Sequence, residues 1–159
     1  MIHVLHAISS LSLSAGGPTH VLCGLAAAQV AAHMGVTICT VNSESPGAGK
    51  SASSHLDELR RKDVDVRVFN RSIRPPVTFS LDLGRWLRGN IRRYDIIHVH
   101  GLYRFAPTFA AWQARRQGVP FIVRPHGALD PYLYARSSTG RLGLKRLYER
   151  WFDLPNLHA

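Results

Sequence analysis

Three stretches decide the fold: Ile2-His3-Val4-Leu5-His6-Ala7-Ile8, then Gly16-Gly17-Pro18, then Val36-Thr37-Ile38-Cys39-Thr40-Val41. The first reads as a short apolar strand. A loop of small residues over 9–17 follows and ends in two glycines. Pro18 takes a first helical position, where its missing N–H is no loss, and the helical pattern holds to Met34 until Gly35 ends it. The third stretch is a second buried strand. Strand, helix and strand in this order form a crossover unit, whose handedness rule makes the two strands parallel. The Gly16-Gly17 turn leaves backbone N–H groups suited to a phosphate, although a plain tight turn has the same sequence.

The alternation continues downstream. Residues 56–62 read as a short helix, 64–69 as a strand, 79–93 as an amphipathic helix and 95–100 as a strand. A helix over 107–117, a strand over 119–124 and a helix over 144–152 follow, and residues 156–159 open one more strand. This order predicts an α/β doubly wound parallel sheet of five or six strands in three layers. Open sheets of this kind bind ligands at the carboxyl ends of their strands. Two exits there are distinctive. Asp95-Ile96-Ile97-His98-Val99-His100 runs into Gly101, and residues 119–123 run into Arg124-Pro125-His126-Gly127-Ala128-Leu129-Asp130-Pro131. Two His-Gly exits from consecutive strands would put two imidazoles over one crevice, although histidine is also ordinary at half-buried strand ends.

At 159 residues and 45% hydrophobic content, the chain suits one globular domain. Its charge is lopsided. Lys plus Arg number 20 against 10 Asp plus Glu, five of each sign fall in residues 1–70, and the whole +10 excess lies beyond them. Seventeen of the basic residues are arginine, which favours phosphate or carboxylate partners. The first 43 residues carry no Asp, Glu, Lys or Arg. They lack the basic start of a signal peptide and the length of a membrane span, so they predict a strand and helix buried on nearly all sides. Cys23 and Cys39 lie apart in apolar runs, as small buried residues of a reducing compartment would.

Residues 44–51 end in Gly-Lys-Ser like a phosphate-binding loop, but Glu44 stands where that motif opens with glycine. They read as a surface loop. In residues 79–93, Phe79, Leu83, Trp86, Leu87 and Ile91 fall on one face, and Arg85, Arg88 and Arg92 on another. The segment suits a sheet-packing helix with a solvated arginine face, or a surface helix held by Arg85, Trp86, Arg88 and Arg92 against anionic lipid.

Taken together, Gly16-Gly17-Pro18 before an Ala-rich helix, residues 95–103 and residues 124–131 resemble the amino-terminal domain of family 4 (group 1) glycosyltransferases of the GT-B fold. The resemblance covers essentially the whole chain. It implies a Rossmann-like acceptor-side domain and hexosyl transfer from a nucleotide-sugar to a glycan or lipid-linked acceptor, with retention of configuration and no cofactor or metal. It implies lipopolysaccharide or other cell-surface polysaccharide synthesis, in the cytoplasm or peripherally at the inner face of the cytoplasmic membrane. By position, Gly16 and Gly17 would face the donor diphosphate and His126 the sugar being transferred. Arg124 and Asp130 would flank His126, or pair with each other. His100 and Tyr103 would line the acceptor side. The family's nucleotide-binding carboxy-terminal domain has no counterpart in residues 1–159, so the chain is expected to form one wall of a cleft and to be inactive alone.

Two other readings compete. A metal-dependent hydrolase would use His98, His100 and His126, completed by Asp130. A basic anion-binding module would need only the charge, for a membrane, nucleic acid or a protein partner, but no recognised nucleic-acid-binding pattern accompanies it.

Overall fold

The computed structural model describes residues 1–12, 16–42, 51–73, 78–130 and 139–157. Strands β1 (His3–Ile8), β2 (Gly35–Val41), β3 (Asp65–Phe69), β4 (Ile96–His100) and β5 (Phe121–Arg124) form one sheet in the order β3-β2-β1-β4-β5. Every neighbouring pair is parallel. Helices α1 (Gly17–Ala31), α2 (Ser51–Arg61), α3 (Leu81–Asn90) and α4 (Phe105–Gln117) connect the strands, and α5 (Thr139–Tyr148) follows β5. The expected α/β doubly wound sheet is thus present, with five strands.

Strand alternation sorts the core into two halves. Leu5, Ala7, Cys39, Val41, Ile97 and Val99 pack with Leu83 and Leu87 of α3 and Ala110 and Ala114 of α4. Ile8, Val36, Ile38 and Val66 pack on the other face with Leu22 and Ala26 of α1 and Leu59 of α2. The chain therefore leaves β1 for one face of the sheet and β4 for the other. Since β1 and β4 are neighbours, a crevice opens between their carboxyl ends, the switch point where such sheets take ligands.

Three helix-to-strand joints share one cap. His33, Asp63 and Gly118 take left-handed backbone, with φ 59°, 59° and 70°. The amides just after them reach back one turn and more: Met34 N–H to Gln29 O at 3.0 Å, Val64 N–H to Leu59 O at 3.1 Å and Val119 N–H to Ala114 O at 2.9 Å. This pattern stops a helix and turns the chain into the next strand. Helix α1 consequently ends at Ala31, short of Met34, and Gly35 begins β2 rather than ending the helix.

Other expectations change in detail. Ser80 caps α3 by accepting from Leu83 N–H at 3.3 Å, so the helix starts after Phe79, and Ile91–Arg93 is a 3-10 turn. The uncharged beginning is not buried on all sides. Strands β1 and β2 are buried beyond their first residues, but α1 buries only Thr19, Leu22 and Ala26 and leaves His20, Val21, Gly24 and Ala28 exposed. A sixth strand does not begin at Asn156. Instead α5 passes through a π-helical turn, Glu149–Asp153, into the helical turn α6 (Leu154–Leu157), where Pro155 sits early enough for its absent N–H to be harmless. The loop over 44–50 lies outside the described residues.

Candidate active site

A line of hydrogen-bonded side chains runs from α1 to the loop after β5. Gln29 Oε1 meets His6 Nε2 at 2.7 Å, His6 Nδ1 meets His100 Nε2 at 3.0 Å, and His100 Nδ1 meets His126 Nε2 at 3.0 Å. The register explains it. His6 pairs with His98 and Ile8 with His100 across β1 and β4, and His100 pairs with Arg124 across β4 and β5. His6 and His100 are buried. His98 stacks on His100, ring centroids 4.2 Å apart, and stands beside the line rather than in it.

Burial holds these rings neutral. It lowers the pKa of His6 from 6.5 to about 4, against the opposing pull of the bond to Gln29. Burial, then the charges of His98, His6, His126 and Arg124, takes His100 to about 2. His98 and His126 are lowered as well, first by burial and then by Arg124.

The two exits are conformationally special. Gly101 and Tyr103 after β4, and His126 and Gly127 after β5, all have positive φ, at 87°, 59°, 51° and 78°. The exits are tied together where Gly101 N–H donates to Arg124 O at 2.9 Å. A histidine in left-handed backbone costs on the order of 1 kcal/mol, so its surroundings must hold it there. On the other side of the switch point Gly16 opens α1 at φ 79°, ψ −148°. No side chain caps this helix start and no acid lies in its first turn. A Cβ on Gly17 would meet nothing within 4 Å.

Tyr103 is pinned from below. Its N–H donates to Asp153 Oδ2 at 3.0 Å, Thr108 Oγ1 donates to Asp153 Oδ1 at 2.8 Å, and its hydroxyl donates to Glu149. Lys145 Nζ lies 4.5 Å from the Tyr103 ring centroid and donates to Ala128 O at 3.3 Å, joining α5 to both exits. Beside Tyr103 opens a cavity of about 680 Å³ lined by Phe79, Phe105, Phe109, Trp112, Tyr148 and Phe152. A groove of about 670 Å³ shares Phe79, Phe105, Phe109 and Trp112 and adds Arg85, Arg88, Arg92 and Arg116.

The sequence matches the glycosyl transferase 4-like domain family over residues 16–152. The chain belongs to that family. No curated protein sequence matches it. Among solved structures, a protein from the universal stress protein family of Burkholderia pseudomallei aligns at 13% identity, covering 77% of this chain and 95% of that one at a TM-score of 0.37. That likeness is too loose to bear on site or activity.

Within this glycosyl transferase 4-like domain, His100 and His126 meet directly, and Arg124 adjoins them at the end of β5. Tyr103 lies at the neighbouring exit and lines the aromatic cavity. Asp130 closes the turn after His126, its N–H donating to Gly127 O at 3.0 Å. Trp86 does not join Arg85, Arg88 and Arg92 on an outward face. It shares helical spacing with Leu83 and Leu87, so it turns to the sheet, against Phe69 and Tyr94.

The histidines that could jointly hold a cation are also regrouped. They are His6, His98 and His100, with ligand atoms within 4.8 Å of one another, rather than His98, His100 and His126. Within this group His6 Nδ1 and His100 Nε2 already meet each other at 3.0 Å. His6, Gln29 and Asp153 were not singled out in the sequence. His6 could have been found by alternation, since it shares a sheet face with His98 and His100 once β1 is placed beside β4.

Proposed function

We propose that the domain forms the acceptor-side wall of a retaining, nucleotide-sugar-dependent hexosyltransferase in lipopolysaccharide or related cell-surface polysaccharide synthesis. The observation that carries this reading is the convergence at the switch point: His126, held in costly backbone and bonded to His100, stands at the same sheet edge as the uncapped start of α1. In such a transfer the anomeric carbon to diphosphate bond breaks, a bond to the acceptor oxygen forms on the same face of the sugar, and the acceptor's hydroxyl proton passes to the leaving diphosphate. Negative charge builds on the leaving diphosphate, which the dipole and N–H groups at the start of α1 favour. His126 meets a hydroxyl of the sugar in transit, with Arg124 adding positive charge nearby. A second lobe holds the nucleotide and completes the cleft, and no cofactor beyond the donor enters this reading.

The acceptor is read as lipid-linked. The aromatic cavity beside Tyr103 suits sugar rings or an apolar chain, and the adjoining groove of Arg85, Arg88, Arg92 and Arg116 suits its phosphate. Leu147, Trp151, Phe152 and Leu154 are exposed beside Arg146 and Arg150. Bulky apolar side chains mixed with arginine favour an anionic membrane surface over nucleic acid as the target of the positive charge. No helix among the described residues is long and apolar enough to cross a membrane.

The test is product analysis with the domain joined to a compatible nucleotide-binding lobe. NMR of the new linkage should show the donor's anomeric configuration, and a polyprenyl-phosphate-linked glycan should be used faster than the same glycan without lipid. An inverted product would contradict retention. Equal rates with both acceptors would remove the lipid from the reading.

A further inference from the structure

We propose that Gln29, His6 and His100 are positioning residues that fix the proton on Nε2 of His126 and leave its Nδ1 as the free acceptor facing the crevice. The direction of the line follows from its first member. With the Gln29 amide turned so that its oxygen, which can only accept, lies 2.7 Å from His6 Nε2, that nitrogen carries a proton. A neutral imidazole has one N–H, so His6 Nδ1 is bare and accepts from His100 Nε2–H across 3.0 Å. By the same count His100 Nδ1 is bare and accepts from His126 Nε2–H across 3.0 Å. One amide on α1 thus sets the tautomer of a ring three hydrogen bonds away.

Two further observations support a neutral, directed line. Both inner rings are buried, where a charge would be costly, and burial holds both well below the ordinary histidine range. A line of neutral rings can satisfy all its inner nitrogens in only two ways, with every proton on Nε2 or every proton on Nδ1. The oxygen of Gln29 selects the first. His98 stacks on the line without bonding into it, so it does not compete for the protons.

The consequence is chemical. An Nδ1 lone pair accepts from a sugar hydroxyl, whereas the other tautomer would present an N–H and invite a carbonyl or phosphate oxygen. The line also links the helix that opens at Gly16 to the loop that carries His126, so the two proposed ligand-facing segments share one network. This catalytic consequence rests on the glycosyltransferase reading. The protonation pattern itself does not.

The experiment is long-range proton–nitrogen NMR of the chain labelled with ¹⁵N-histidine, in which each ring nitrogen reports whether it is protonated. His6, His100 and His126 should all appear as the Nε2–H tautomer. Gln29→Leu should turn His126 into a mixture, and Gln29→Glu, whose carboxylate also only accepts, should restore it. The pattern in the unsubstituted chain is decisive even if Gln29→Leu does not fold. Protons on Nδ1 of the three rings would show the line running the other way and overturn the proposal. Stoichiometric zinc that shifts His6, His98 and His100 together would overturn it in favour of a metal site. In a protein active in transfer, Gln29→Leu should lower kcat roughly tenfold to a hundredfold with KM little changed, as loss of an orienting partner does elsewhere. Absence of transfer by the unsubstituted domain joined to a compatible nucleotide-binding lobe would count against the glycosyltransferase reading alone, because the NMR pattern stands without it.

Discussion

At the scale of single residues, Gly16 and Gly17 have different reasons to be glycine. Gly16, at φ 79°, ψ −148°, occupies a region that side chains exclude, while Gly17 has ordinary helical backbone and open space where a Cβ would go. Gly16→Ala should therefore cost about 1–3 kcal/mol of stability. Gly17→Ala should change it by about 0.5 kcal/mol or less, yet weaken nucleotide-sugar binding in the joined protein by crowding the diphosphate. Urea unfolding and donor titration of both variants separate the two effects; unimpaired donor binding by Gly17→Ala would put the phosphate elsewhere. The buried histidines make a second prediction. His6 and His100 take up protons less readily folded than unfolded, so the unfolded chain binds more protons below the ordinary value of 6.5. Stability should be full above pH 6.5 and fall with acid, towards about 4 through His6 and on to about 2 through His100. Arg124, His98 and His126 face these rings and steepen the loss. Melting temperature against pH should show the decline, and His6→Gln should flatten its upper part.

At the scale of elements, the π-helical turn Glu149–Asp153 brings a buried carboxylate beneath the exit of β4. Asp153→Ala would strand Tyr103 N–H and Thr108 Oγ1, each at a cost of about 1–3 kcal/mol, and Asp153→Asn, which keeps one acceptor oxygen, should lose less. Denaturant midpoints of the two variants test the order. The exposed row Leu147, Trp151 and Leu154 and the arginines of α3 belong to the same scale. Anionic vesicles should draw the domain down in sedimentation where neutral ones do not, with each surface arginine adding about 1 kcal/mol and salt weakening the effect. Equal sedimentation with both kinds at low salt would remove the membrane contact. Elements of this kind were largely legible from the sequence, because each strand is set by its own apolar run and most helices by their own spacing. The misreadings have a common cause. The end of α1 depends on His33 adopting left-handed backbone, which no periodicity announces, and the helical path through Asn156 depends on its docking to Thr108 O of α4 at 3.2 Å.

At the scale of the whole molecule, the candidate site depends on strand order, which local sequence does not state. His100 and His126 could be placed over one crevice from their positions after consecutive strands. His6 entered only when β1 proved to lie beside β4, and Gln29 only when α1 was laid over that pair. The same order leaves Ile122 of β5 half exposed on the sheet face that carries the histidines, 51% accessible, so β5 is an edge strand with one open side among the described residues. These features support one proposal, that sugar transfer occurs at the carboxyl edge between β1 and β4 and that His126 is the group that meets the sugar. Its most direct test compares His126→Ala with the unsubstituted protein, joined in both cases to a compatible nucleotide-binding lobe, and follows transfer rate and thermal unfolding in the same preparations. His126 is only half-buried in its loop, so the account predicts a loss of turnover far larger than the loss of stability. Full transfer by His126→Ala, with the fold intact, would contradict it.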